Sequence, residues 1–249
     1  MTRSAIICDW NGTLYEDVDE EAFVKAVIVD LAKSYIPSHP FKFARLIKIK
    51  NELEILNRKR NQGLGNDRMV EVLQAYSEKL IKGVPMSMVR RLVEKYANRR
   101  DVQNKIVLKV LRPVAERHRA GITTGILSAG YSYGIQMILK SAGYGDCFDF
   151  YKANLLTETE DRAIGFTLSI YKNKADLLLK LMKDMDIDPQ KTAYLGDSLD
   201  DVGCFEVIGH PIVSFLTPEA LKQKFAREYR AFIPEDEADL ARYFKNIQG

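Results

Sequence analysis

Apolar and polar positions change rhythm twice along the chain. Residues 4–8, built around Ala5, Ile6, Ile7 and Cys8, form a short apolar run that stops at Asp9 and is followed by Asn11-Gly12. A run of that length closed by a turn signal predicts a buried, central strand. From Glu20 the rhythm becomes helical. Ala22, Val24, Val27, Ile28, Leu31 and Tyr35 recur near the 3.6-residue period, and similar spacing runs through 41–56, 69–81 and 86–96. Pro37 and Pro40 bracket the first break, Gly63-Leu64-Gly65-Asn66 gives the second with Asn66 as N-cap, and Gly83-Val84-Pro85 the third. Four helices are predicted between Glu20 and Asn98.

Beyond a further helix over 103–120, closed by Gly121, the pattern alternates. A strand over 123–127 leads to a helix over 131–140, then to extended segments over 148–155 and 164–170. A helix over 174–186, a strand over 192–195, a helix over 199–208, a strand over 212–215 and a helix opening at Thr217-Pro218 complete the chain. Alternation of this kind predicts a parallel sheet covered on both faces, with ligands bound at the carboxyl ends of its strands. Three of those ends carry small or acidic residues: Asp9, Ser128-Ala129-Gly130 and Gly196-Asp197. There is no internal repeat and no low-complexity stretch.

Composition narrows the class. At 46% hydrophobic and 29% charged residues, the chain has enough apolar surface to fold as an ordinary globular protein of one or two domains. Its longest apolar stretches fall far short of the roughly 20 residues that span a bilayer, and no secretory leader is visible, so a cytoplasmic location is expected and no membrane partner. Cys8, Cys147 and Cys204 are odd in number and widely spaced, and His39, His118 and His210 are isolated, which argues against disulfides and against a zinc site. The net charge of +3 is uneven, because residues 37–112 carry +11 and the remainder −8. Most of that basic stretch reads as a solvated outer face. Where it overhangs the strand ends it would attract an anionic, phosphorylated substrate. Nucleic acid is the weaker reading, since the block lacks interleaved stacking aromatics.

Asp9-Trp10-Asn11-Gly12-Thr13-Leu14, Ser128, Lys174 and Gly196-Asp197-Ser198-Leu199-Asp200-Asp201 resemble, in order, the four motifs of the haloacid dehalogenase superfamily. Residues 112–244 are similar in spacing to its phosphoserine phosphatase-like branch. The resemblance implies an α/β fold with a Rossmann-like, doubly wound parallel sheet and an inserted helical cap domain. The core would comprise 1–15 and 100–249 and the cap 16–99, with the links near 14–20 and 98–103 as a hinge. It also implies a Mg²⁺-dependent phosphatase acting on a small phosphorylated molecule, with Asp9 as the nucleophile that forms an aspartyl-phosphate. Asp9, the Asn11 carbonyl, Asp197 and Asp201 would hold the metal. Ser128, Ala129, Gly130, Lys174 and Thr13 would bind the phosphoryl group.

Elementary chemistry supports the same residues. A phosphate monoester repels nucleophiles by its own charge, so a cation must cancel it, and Asp9, Asp197 and Asp201 offer the hard oxygens that Mg²⁺ prefers. Plainer readings stand beside these. Asp200 and Asp201 would also serve as helix caps, Ser128 as an N-cap, Thr13 as a turn residue and Lys174 as a solvated first-turn lysine with Lys172 as its rival. One position departs from the resemblance. Phosphatases of this kind carry a second Asp two residues after the nucleophile as acid and base, and here Asn11 stands there. An amide cannot shuttle the proton. Three outcomes follow: a slow phosphatase whose aspartyl-phosphate persists, another acid such as Glu16, Asp17 or a group of the substrate, or a catalytically weakened protein that binds a phosphorylated ligand or partner as a sensor or scaffold.

Overall fold

The computed structural model describes residues 2–16, 81–167, 170 and 173–247, together with 30, 48 and 51. The helices expected over 20–35, 41–56 and 69–81 lie outside the described residues apart from single positions, as do Asp17, Lys172 and Arg58-Lys59-Arg60. The chain divides into two compact units, one of 1–19, 97–154 and 168–249, the other of 20–96 and 155–167.

The first unit is built on β1 (Arg3–Cys8), β2 (Thr123–Tyr131), β3 (Phe150–Asn154), β6 (Ile187–Gly196) and β7 (His210–Val213). They form one sheet in the order β3-β2-β1-β6-β7, and every pair is parallel. After β1 the chain steps outward to β2 and β3, then crosses to the other side of β1 for β6 and β7. The switch in strand order therefore lies between β1 and β6, where a ligand crevice is expected in such sheets. β1 is buried from Ser4 to Cys8, as a central parallel strand covered on both faces must be. Ala5 and Ile7 share a core with Leu127, Leu178, Met182, Tyr194, Phe205 and Phe225.

Register aligns the chemistry. Cys8 lies opposite Ile126 on one side and Leu195 on the other, so Asp9 and Asp197, just past their strands, and Ser128, within β2, come together at the same end of the sheet. The covering helices are α2 (Arg100–Gln103), α3 (Leu108–Arg119), α4 (Ser132–Ser141), α5 (Lys174–Asp184), α6 (Val202–Val207), α7 (Glu219–Tyr229) and α8 (Glu237–Lys245). In place of one helix over 103–120, α2 ends at Gln103 and α3 starts at Leu108; between them Val107 N–H donates to Leu14 O at 2.9 Å, tying the turn to the loop after β1. None of the described helices is long and apolar enough to cross a membrane.

In the second unit the described residues are mainly α1 (Met86–Ala97) and a hairpin of β4 (Leu156–Thr159) and β5 (Arg162–Phe166), which pair antiparallel. Gly83 N–H donates to Ala163 O at 2.8 Å and Met86 N–H to Asp161 O at 2.9 Å. These bonds explain why the hairpin groups with 20–96 instead of with the sheet that precedes it in sequence.

Candidate active site

The loop after β1 turns back at once. Gly12, Thr13, Leu14 and Tyr15 fold over Trp10, whose carbonyl accepts from the N–H groups of Thr13, Leu14 and Tyr15. Gly12 has φ +69°, and a Cβ there would meet Asp197 Oδ2 at 2.2 Å. The Asp197 carboxyl thus lies against the Gly12 backbone, an approach that only glycine permits. Asp9 and Asp201 are buried, and one carboxylate oxygen from each of Asp9, Asp197 and Asp201 lies within 4.8 Å of the others.

Lys174 opens α5 and is buried. Its ammonium stands 2.5 Å from Asp201 Oδ1 and 3.1 Å from Asp9 Oδ2. It is therefore no solvated first-turn lysine. Asp201 does serve as the capping-box residue of the 3₁₀ turn Leu199–Asp201, but capping is only part of its work. Its Oδ2 accepts from Asp197 N–H, Ser198 N–H and Ser198 Oγ, while Oδ1 accepts from Lys174 and from Tyr194 OH at 2.8 Å. With both oxygens engaged, Asp201 anchors Lys174 and holds the Asp197 loop.

Two buried carboxylates, Asp9 and Asp201, and the half-buried Asp197 face one ammonium, so the carboxyls outnumber the positive charge. Burial is the largest influence on Asp9; with Asp201 it outweighs the Lys174 ammonium and lifts the carboxyl to about 6. Burial, then Asp201 and Asp9, push Asp197 up to about 8. Burial would raise Asp201 too, but Lys174 and its hydrogen bonds hold it below the ordinary carboxylate range. Asp201 and Asp9 in turn overcome the effect of burial on Lys174 and keep it charged. An added divalent cation would relieve this imbalance, and the all-oxygen donor set fits Mg²⁺.

Ser128 is buried within β2, which runs on to Tyr131, so it does not cap α4 as the plainer reading had it; its Oγ accepts from Gly130 N–H at 3.2 Å. Asn154 Nδ2 donates to Ala129 O and grips the same turn from β3. Thr13 is fully buried, and its Oγ1 has no hydrogen-bond partner among the described residues. Asn11 is half-buried and Glu16 exposed. Tyr194, Asn154, Ser214 and Thr217 also join the site, and sequence patterning did not single them out. Ser214 Oγ donates to Gly12 O at 2.7 Å, and Thr217 Oγ1 to Asp197 O at 3.2 Å. In sequence Asn154, Tyr194 and Ser214 lie inside segments predicted as extended, over 148–155, 192–195 and 212–215, and Thr217 at the predicted start of a helix.

A sequence profile of the haloacid dehalogenase-like hydrolases matches residues 4–209. No curated protein matches the chain. Among solved structures, a substrate-bound phosphoserine phosphatase is similar over 100% of both chains, at 17% identity and a TM-score of 0.60. A protein of unknown function from Bordetella pertussis Tohama I is similar over 94% of this chain and 98% of its own, at 16% identity and a TM-score of 0.68. Cytosolic 5'-nucleotidase IIIB bound to cytidine is similar over 98% and 86%, at 15% identity and a TM-score of 0.62. At these identities the structural likenesses speak for the fold.

Proposed function

The chain belongs to the haloacid dehalogenase-like hydrolases, and from that premise we propose that it is a Mg²⁺-dependent phosphatase acting on a small phosphorylated molecule through an aspartyl-phosphate on Asp9. The observation that carries this reading is the cluster of buried Asp9, Asp201 and Lys174 with half-buried Asp197 at the switch point of the sheet. In this proposal 1–15 and 100–249 form the catalytic core and 16–99 a cap that selects the substrate, joined by the 155–167 hairpin that groups with it.

Asp9, Asp197 and the Asn11 carbonyl would hold the ion, and Asp201 would add its charge from behind while fixing Lys174. The cation supplies charge neutralisation for the phosphoryl oxygens. Lys174 and the Ser128-Ala129-Gly130 turn cradle those oxygens, the lysine by charge and the turn by Ser128 Oγ and backbone N–H groups. The Asp9 carboxylate attacks phosphorus as the bond to the ester oxygen breaks, that oxygen taking its proton from solvent or from the substrate's own acid. Water then attacks the aspartyl-phosphate, loses its proton to solvent, releases inorganic phosphate and restores Asp9. Asn11 cannot donate that proton, so the ester oxygen must be a good leaving group or bring its own acid.

Phosphate release from p-nitrophenyl phosphate and from an alkyl phosphate, with and without Mg²⁺, tests the reading. Asp9→Asn should abolish release. Asn11→Asp should raise turnover of the alkyl ester by roughly 10²–10⁴-fold, the usual worth of a general acid, and the aryl ester much less. Full activity in Asp9→Asn would end the proposed mechanism. A wild type that binds phosphate esters with Mg²⁺ but never releases phosphate would favour the sensor reading, which rests on Asn11.

A further inference from the structure

Resting on that reading of the site, we propose that Ser214-Phe215-Leu216-Thr217 is a clasp that sets the spacing between the Asp9 loop and the Asp197 loop. Ser214 and Thr217 are its positioning residues.

β7 pairs with β6 so that Val213 lies opposite Gly196, and Ser214 N–H donates to Gly196 O at 2.9 Å. The next residues therefore leave the sheet beside Asp197. Ser214 is 1% exposed and Thr217 3% exposed, although both are polar. A buried hydroxyl is costly unless hydrogen-bonded, so the partners it takes are informative. Ser214 Oγ donates to Gly12 O at 2.7 Å and accepts from Leu216 N–H at 3.1 Å. Gly12 is the residue on which the Asp197 carboxyl rests. Thr217 Oγ1 donates to Asp197 O at 3.2 Å, and Thr217 N–H to Ser214 O at 3.3 Å. One short segment thus holds a backbone carbonyl from each of the two loops that carry Asp9 and Asp197.

Thr217 supplies an independent sign. It precedes Pro218 at the start of α7, where a threonine ordinarily caps the helix. Here Pro218 occupies the N-cap, no side chain caps α7, and the Thr217 hydroxyl is directed to the Asp197 loop instead. The helix forgoes a cap so that the loop is held. Outside, the Lys109 ammonium lies 4.2 Å from the centre of the Phe215 ring and fastens the clasp to the first turn of α3. Cation affinity depends on how firmly ligands are oriented, and groups that orient them are worth roughly 10–100-fold in affinity.

The test is the Mg²⁺ dissociation constant fitted from the dependence of melting temperature on Mg²⁺ concentration, with p-nitrophenyl phosphate turnover at saturating Mg²⁺ alongside. Ser214→Ala and Thr217→Val should each raise that constant by roughly tenfold. The double variant should raise it further, and Thr217→Ser, which keeps the hydroxyl, should stay at the wild-type value. Thr217→Val is nearly isosteric and carries the test if Ser214→Ala does not fold. A lower melting temperature without Mg²⁺ at an unchanged dissociation constant would give the hydroxyls a merely structural part and overturn the clasp. A wild type with no Mg²⁺-dependent shift would overturn the metal reading and the clasp with it, which separates the two failures.

Discussion

Gly12 shows how much of the site depends on one missing methyl. Its φ of +69° is a conformation that L side chains rarely adopt, and a Cβ would sit 2.2 Å from Asp197 Oδ2 and 2.4 Å from its Cγ. Gly12→Ala is expected to cost about 1–2 kcal/mol of stability from the left-handed backbone alone. The displaced Asp197 carboxyl should lower phosphate release by roughly 10²-fold, the penalty that about an ångström of misplacement brings. Urea unfolding and initial rates would check both, and wild-type rates in this variant would mean that Asp197 has another place to stand. Residues with a distinctive chemistry were legible in sequence: Asp9, Ser128, Lys174 and Asp197 all meet at the sheet edge where their positions after or before elements put them. Asn154 and Tyr194 were not. An Asn at a strand end and a Tyr inside a strand are common, and their roles arise from hydrogen bonds, Asn154 to Ala129 on the neighbouring strand and Tyr194 to Asp201 in the turn after its own strand, that no residue pattern announces.

The strands and helices were read from period alone, and the reading fails where hydrogen bonding overrides period. Residues 199–208 look like one helix, yet the first turn is 3₁₀ because Ser198 and Asp201 cap one another and tighten it. Of the extended segment expected over 164–170, residues 164–166 belong to β5, whose partner is the neighbouring β4, and a hairpin needs only local pairing. The end of α7 offers a quantitative check. Arg230 closes that helix at φ 54°, in a left-handed conformation usually given to glycine, and Ala231 N–H donates to Phe225 O at 3.3 Å. Arg230→Gly should relieve the strain and stabilise the chain by about 0.5–1 kcal/mol, net of the added freedom of the unfolded state. Its turnover should be that of the wild type, since Arg230 lies outside the site. A urea midpoint that fell would show that the arginine side chain contributes more than its backbone costs.

At the scale of the whole molecule, the buried acidic group makes stability depend jointly on pH and on the cation. The ordinary carboxylate value is 3.8, whereas Asp9 stands at about 6 and Asp197 at about 8, both chiefly through burial. Between those values the folded chain holds protons that the unfolded chain has released, so these groups favour folding at low pH and lose that contribution as pH rises to about 8. Mg²⁺ competes for the same oxygens and binds them only when they are ionised, so its stabilisation must grow with pH over the same window. At a concentration near 100 times its dissociation constant, a ligand adds about 2.7 kcal/mol, or roughly 5–10 °C in a chain of this size. The expected result is a Mg²⁺-induced rise in melting temperature of that order at pH 8.5 and little at pH 5.5. Without Mg²⁺, Asp197→Asn should melt with a flatter pH dependence than the wild type, because it removes the more strongly shifted carboxyl. A Mg²⁺ effect of equal size at both pH values would mean that the cation binds away from Asp9 and Asp197. Acid-weakened binding that Asp197→Asn abolishes would place the ion between the two loops.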